Sequence, residues 1–261
     1  MLSYAEILRG AVAIAADAAA TLTRMRAGPR DVSRKELRDV VTDADLASER
    51  LVLDGIRALT PGAAILSEEA GASGDAGQER WIVDPLDGTV NYAAGLPWFS
   101  VTMAYQHHGR TVAGVVHAPA VGLVATFLEG KGGFVSGDPA AVSTTKSVAD
   151  AVISVVLTSH FTPQEVARAA NAVRLLGERA RGVRIIVSGG LEMCLVASAQ
   201  LDAFVSLKAD IVSHAAAMPL LRAAGGRISR LDGSDANDDD EVRIATNGAI
   251  HAELLGILKD A

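Results

Sequence analysis

The sequence predicts an α/β protein whose N-terminal half is α+β, and three observations carry that reading. Two long segments near the N-terminus repeat their apolar residues at helical spacing, short β-rich runs divided by turn signals follow, and beyond about residue 140 strands alternate with helices. A chain of 261 residues that is 49% hydrophobic can bury one large core or two packed halves, which excludes a disordered or fibrous chain.

In the first helix Ile7, Ala11, Ile14, Ala18, Leu22 and Met25 fall on one stripe. Residues 11–20 are apolar enough to suggest a signal peptide, but Asp17 interrupts them and no basic region precedes them, so they read as structure. Residues 28–39 are polar and turn-rich. Residues 42–59 form a second helical pattern with Leu46, Val52, Ile56 and Leu59 inward, and Thr42-x-x-Asp45 at its start has the form of a capping box. Strand-like runs follow at 63–67, 81–84, 99–105, 111–117 and 123–128, with turn signals at His108-Gly109 and 130–133 that suggest an antiparallel meander. The second half reads as strand 152–157, helix 163–180, strand 183–187, helix 191–199, strand 203–207, helix 214–223, strand 242–245 and helix 250–258. No linker, repeat or low-complexity block divides the chain. Two packed subdomains, 1–140 and 141–261, are therefore expected to share one site at their junction.

The formal net charge is -7, with 31 acidic and 24 basic residues and no basic block, so neither a nucleic-acid polymer nor an anionic membrane is an expected partner. No segment reaches the roughly eighteen apolar residues of a membrane span. The single cysteine, Cys194, cannot form an intrachain disulfide and lies in an apolar helical run, which fits a reducing cytoplasm.

The chemistry concentrates in Trp81-Ile82-Val83-Asp84-Pro85-Leu86-Asp87-Gly88-Thr89-Val90-Asn91. A buried strand that ends in two nearby carboxylates is unfavourable unless a hard cation neutralises them, and magnesium is the natural candidate. Gly88 and Thr89 fall where a helix would begin, so their backbone N–H groups can receive a phosphate. Upstream, Glu68 follows a neighbouring candidate strand and could complete a metal site. Taken singly, each segment also has a plain structural meaning: a capped loop, a solvated strand end, a helix cap.

Together and in this order, residues 39–45, Glu68-Glu69 and the 81–91 motif resemble the inositol monophosphatase family, as do Gly95-x-Pro97 and Ala224-Gly225-Gly226 further on. The resemblance runs over nearly the whole chain. It implies a layered αβαβα sugar-phosphatase fold, usually a homodimer, with two or three magnesium ions that lithium can often displace. It further implies that Glu68, Asp84 and the Leu86 carbonyl hold the first metal and that Asp84 and Asp87 hold the second. Thr89 and Asp45 would orient and activate the attacking water, with Glu68 beside them. Gly88 and Thr89 would bind phosphate, and Gly189, Gly190, Ser206 and Ser213 would line the substrate side.

The chain departs from the family pattern where Trp-Asp normally opens a helix, because Val212-Ser213 stands there at the matching distance from Ala224-Gly225-Gly226. A hydroxyl at 213 supplies one negative charge fewer than an aspartate, so the second metal site is expected to be weakened. Pro219 lies in the same expected helix and would crowd the Ala215 carbonyl. Ser206 stands where inositol phosphatases usually carry a substrate-binding glutamate. Asp210, three residues before Ser213, could substitute as a ligand, although a surface-loop role is the expected one.

The resulting expectation is a magnesium-dependent phosphatase of a small hydroxylated phosphomonoester: an inositol, sugar, amino-alcohol or nucleotide phosphate. The alternatives are a low-turnover phosphate-binding homologue or an enzyme of different phosphate chemistry. The acidic run 232–241 lacks calcium-loop spacing, His107-His108 reads as a hairpin tip, and residues 193–195 read as core.

Overall fold

The computed structural model describes residues 2–27, 32–34, 40–74, 77–158, 160–208, 210–237 and 243–259. Its first half runs α1 (Tyr4–Arg26), β1 (Val32–Arg34), β2 (Val40–Thr42), α2 (Asp43–Leu59), β3 (Ala64–Ser67), β4 (Gly71–Ser73), β5 (Glu79–Asp87) and α3 (Thr89–Ala94). A meander follows: β6 (Ser100–His107), β7 (Arg110–Ala118), β8 (Leu123–Leu128), β9 (Gly132–Val135) and β10 (Asp138–Pro139). The second half is β11 (Val152–Val155), α4 (Pro163–Gly177), β12 (Gly182–Arg184), α5 (Gly189–Ala197), β13 (Ala203–Ser206), α6 (Ile211–His214), α7 (Ala217–Ala223), β14 (Arg227–Ser229), β15 (Arg243–Thr246) and α8 (His251–Leu258).

Among the described residues, one sheet has the order β10-β9-β8-β7-β6-β5-β3-β4 and a second the order β12-β11-β13-β15-β14. The pleat sorts their side chains. In β5, Trp81 and Val83 pack with Ile7, Leu22, Val52 and Ile56 of α1 and α2, while Ile82 between them faces Leu191, Val196 and Leu221 of α5 and α7. In β13, Phe204 joins that same middle layer, while Ala203 and Val205 pack on Ala169 and Leu176 of α4 and Leu254 of α8. Five layers result: α1 and α2, the large sheet, α5 to α7, the small sheet, then α4 and α8. This is the expected αβαβα order. Asp84 follows Val83, so the alternation turns it toward the middle layer.

Three expectations are corrected. Leu46 is 52% exposed, because the inward stripe of α2 runs Asp45, Ser48, Glu49, Val52 and Ile56, and its first turn faces a polar site. The helix expected over 214–223 is two helices. Ala215 and Ala216 form a turn, which puts Pro219 in the first turn of α7, where its missing N–H costs nothing. The strand expected at 183–187 stops at Arg184, and Val187 takes a positive φ of 61°. Strand β14, which the sequence reading passed over, pairs antiparallel with β15. Most of the turn-rich segment 28–39, Asp39 included, lies outside the described residues, as do Asp238, Asp239, Asp240, Glu241 and Val242 of the acidic run and its following strand.

His108 and Gly109, both at positive φ, form the hairpin tip between β6 and β7. Cys194 is fully buried in α5, and burial pushes its thiol far above the usual range. No helix among the described residues is long and apolar enough to cross a membrane.

Candidate active site

The first requirement of the site is that Asp84 and Asp87 face the same way, which regular pleating forbids for residues three apart. A bulge resolves it. Asp84 pairs with Thr102 and Asp87 with Ser100, so three steps on β5 match two on β6, and the extra residue brings both carboxylates to one face. Pro85, which cannot donate to the ladder, falls inside the bulge, and its carbonyl is taken by the Ser48 hydroxyl of α2 at 2.7 Å. The Leu86 N–H donates to Asp84 Oδ1 at 3.0 Å while the Leu86 side chain is core.

Gly88 then turns the chain at φ 91° and caps α3. A side chain there is impossible without movement, since a Cβ would lie 2.6 Å from the Trp98 carbonyl oxygen. The turn delivers Thr89 Oγ1 to within 2.9 Å of Asp45 Oδ1 and 3.1 Å of the Leu86 carbonyl. Asp45 Oδ2 meanwhile accepts from the Thr42 N–H (2.7 Å) and hydroxyl (2.6 Å), completing the capping box of α2. One carboxylate thus caps a helix through one oxygen and holds Thr89 through the other. Burial raises its pKa, and the Thr42 and Thr89 hydrogen bonds oppose that rise. Asn91 closes the motif by donating to the carbonyls of Trp98 and Ile186 at 2.9 and 2.7 Å, which ties this turn to the second half of the chain.

From that second half comes the opposite wall. Thr102 donates to the Val212 carbonyl at 3.0 Å and anchors α6 against the large sheet. Ser213 Oγ then sits 2.8 Å from Asp84 Oδ2 and 2.6 Å from Asp210 Oδ2. Asp210 is exposed, as expected of a loop aspartate, but it also caps α6: its Oδ1 accepts from the N–H groups of Val212 and Ser213, its Oδ2 meets the Ser213 hydroxyl, and the residue lines the cavity. The sequence signal that could have found it was its position as N-cap, three residues before Ser213.

A serine hydroxyl has one hydrogen, so it satisfies only one of these two carboxylates. Asp84 is 1% exposed and also hydrogen-bonds the Glu68 carboxyl. Burial first, then the charges of Glu68, Asp87 and Asp210, push its pKa well above the usual carboxylate range. The charges that weigh most on Asp84 are thus all negative, a burden that protons or a cation would relieve.

Asp87 is better satisfied. Its Oδ2 accepts from Ser100, Ser188 and the Gly190 N–H at 2.8 to 3.0 Å, and its Oδ1 from the Gly189 N–H at 3.2 Å. Burial nevertheless raises it to about 6, against those hydrogen bonds. The strained Val187 bends the chain so that these two glycine N–H groups converge. Gly189 lines the cavity. Gly190 lies behind Asp87 instead, where a Cβ would meet Thr102 at 2.6 Å.

The cavity itself is about 290 Å³ and draws its walls from both halves of the chain: Glu68, Asp84, Asp87, Gly88 and Thr89 on one side, Gly189, Ser206, Asp210, Ser213 and His214 on the other. Asp45 stands behind Thr89. Among the described residues no three His, Cys, Asp or Glu side chains are already arranged to hold a metal ion. The donor set is still that of a hard cation, being all oxygen and anionic, with Glu68 and Asp84 in a carboxyl–carboxyl contact that positive charge would relieve. The residues fit magnesium, with fewer anionic ligands fixed in place than a closed site has.

The family model described as the inositol monophosphatase family matches residues 3–261. The chain is 33% identical over 223 residues to the fructose-1,6-bisphosphatase/inositol-1-monophosphatase of Thermotoga maritima, covering 85% of this chain and 84% of that protein. It is 34% identical over 248 residues to the histidinol-phosphatase of Mycobacterium tuberculosis, covering 92% and 93%. The crystal structure of the extragenic suppressor protein suhB from Bartonella henselae superposes with a TM-score of 0.92 at 28% identity, over 98% of this chain and 99% of that one.

Proposed function

The chain belongs to the inositol monophosphatase family, and from that premise we propose that it uses magnesium to hydrolyse the phosphomonoester of a small hydroxylated alcohol. It is a phosphoric monoester hydrolase of a metal-dependent family. The observation that carries the finer reading is the β5 bulge, which aims Asp84 and Asp87 into one cavity with the Thr89 hydroxyl held on Asp45.

In this reading Glu68, Asp84 and the Leu86 carbonyl hold one magnesium, and Asp84 and Asp87 face a second, weaker position. Bound there, magnesium supplies positive charge that acidifies a water and offsets the charge of the phosphoryl oxygens. The remaining work falls to the chain. Thr89 donates to Asp45, which leaves its oxygen lone pairs turned outward to accept a hydrogen from the attacking water. Asp45, its pKa raised by burial, is poised to take the proton. Gly88 and Thr89 offer the phosphate backbone N–H groups where no side chain intervenes. The subdomains 1–140 and 141–261 supply the two walls, and pairing of two copies, the family habit, is checked by sedimentation equilibrium.

Asp210 takes the part that the family gives to an aspartate at 213, with Ser213 as a hydroxyl spacer. Ser213→Asp is accordingly expected to raise magnesium affinity and turnover, and Asp210→Asn to lower magnesium affinity about tenfold in the natural background but little in Ser213→Asp. Calorimetric titration reads both. No gain from Ser213→Asp in either quantity would overturn this account of the missing ligand.

Magnesium affinity also depends on pH with a definite sign. Burial raises Asp87 to about 6 and Asp84 in the same direction, so as pH falls toward that value protons compete with a cation for these carboxyls. Asp87 alone is expected to raise the apparent dissociation constant about twofold from pH 8 to pH 6, and Asp84 to add to that rise, with proton release visible in buffers of different ionisation enthalpy. A flat profile would mean that these carboxyls are already ionised at pH 6.

The deciding experiment is phosphate release from inositol, sugar, histidinol and adenosine phosphates with magnesium varied and Asp84→Asn as control. Turnover that requires both magnesium and Asp84 is expected; silence across the panel while metal and phosphate still bind would leave a non-catalytic homologue.

A further inference from the structure

His214 plays no part in the reaction described above, yet it lines the cavity while only 2% exposed. Its ring is fixed edge-on to Phe204, with centroids 5.4 Å apart. Its Nδ1 lies 3.1 Å from a guanidinium nitrogen of Arg243, which is fully buried on β15. A guanidinium only donates, so Nδ1 must present its lone pair, and the hydrogen of the neutral imidazole must sit on Nε2. The tautomer follows from geometry alone.

Nε2 has no hydrogen-bond partner among the described residues. It lies against Gly189, where even a Cβ would come within 2.4 Å of it. Glycine at 189 thus leaves room for the N–H edge of the ring, and both residues line the cavity. Ser206, whose strand position pairs with Arg243, spends its hydroxyl hydrogen on the Lys208 carbonyl at 2.5 Å and keeps only lone pairs for the cavity. Val156, Phe161 and Val212 fill the wall around them.

We propose that His214 is a specificity residue, whose Nε2–H donates to a hydroxyl oxygen on the alcohol part of the substrate while Ser206 accepts. An uncharged hydroxylated ring or chain satisfies both groups; a bare hydrocarbon leaves the buried N–H unpaired. The inference rests on the phosphatase reading above, so its test includes a measurement independent of turnover.

Inositol 1-phosphate and cyclohexyl phosphate differ in ring hydroxyls, and the ratio of their kcat/KM values reports the contact. His214→Phe is expected to lower the preference for inositol 1-phosphate about 5- to 30-fold, and His214→Gln, which keeps an N–H at similar reach, to retain most of it. An unchanged ratio in His214→Phe, or an equal loss in both variants, overturns the proposal. Long-range ¹H–¹⁵N correlation on the unaltered chain reads the tautomer directly and needs no variant to fold. Hydrogen on Nε2 is expected, with its resonance moved by inositol 1-phosphate and not by cyclohexyl phosphate. Hydrogen on Nδ1, or equal shifts with the two esters, overturns it. Absence of phosphate release from every ester would defeat the phosphatase reading and still leave this resonance to be read.

Discussion

Asp84→Asn is expected to lower magnesium-dependent phosphate release by about a thousandfold while leaving the metal-free protein as stable as before, or more so. The catalytic loss follows because Asp84 is the carboxylate common to both proposed metal positions and touches Glu68 on one side and Ser213 on the other. The stability result has a separate cause. Burial raises the folded pKa of Asp84 above its unfolded value, so its favourable contribution is present in the protonated form, below the unfolded pKa, and is lost as pH rises through the folded pKa. At pH 8 the ionised group is a burden, and a neutral amide of the same shape removes it. Urea unfolding at pH 5 and pH 8, beside the phosphate assay, checks both parts. Turnover within tenfold of the natural chain would remove Asp84 from the centre of the chemistry. Lower stability at pH 8 would mean that its charge is already compensated.

Gly88→Ala is expected to destabilise the protein strongly, because backbone sterics and a backbone clash act together there. At φ 91° an L-residue costs about 1–2 kcal/mol from backbone sterics alone. The new Cβ must also displace the Trp98 carbonyl from 2.6 Å, and that strand start is held by Asn91 and the buried Phe99. A total of about 3 kcal/mol or more is expected, which for a chain of this size lowers Tm by roughly 6–12 °C. Gly122→Ala is the matched control. It has φ 67° with nothing within 4 Å of the added carbon, so only the conformational cost applies. Scanning calorimetry of the two variants separates sterics from backbone preference, and equal losses would show that the Trp98 contact yields easily.

Much of this protein could be read before any coordinates. Residues 81–91 announced a buried strand that runs into a turn of carboxylates, because apolar β-branched residues, Pro85 and Gly88 have few local conformations open to them. The stripe of α1 and the Thr42–Asp45 cap were legible for the same reason: helical periodicity and capping are short-range effects, settled within a few residues. The outward turn of Leu46 was not legible. Its burial depended on which face of α2 met the large sheet, and the face that did so begins with Asp45. Nor could the sequence tell that Pro85 marks a bulge, since a bulge is defined by the count of residues on the partner strand. The two roles of Asp210, cap of α6 and neighbour of Ser213, needed the packing of α6 against Thr102. The hydrogen on His214 needed Arg243, 29 residues further along the chain. By itself, then, the sequence determined the family resemblance and the carboxylate turn, both properties of local order. Tertiary structure alone decided which carboxylates share a face and which donors and acceptors meet across the cavity, because those pairings join strands and helices that are distant in sequence and are fixed only when the layers pack.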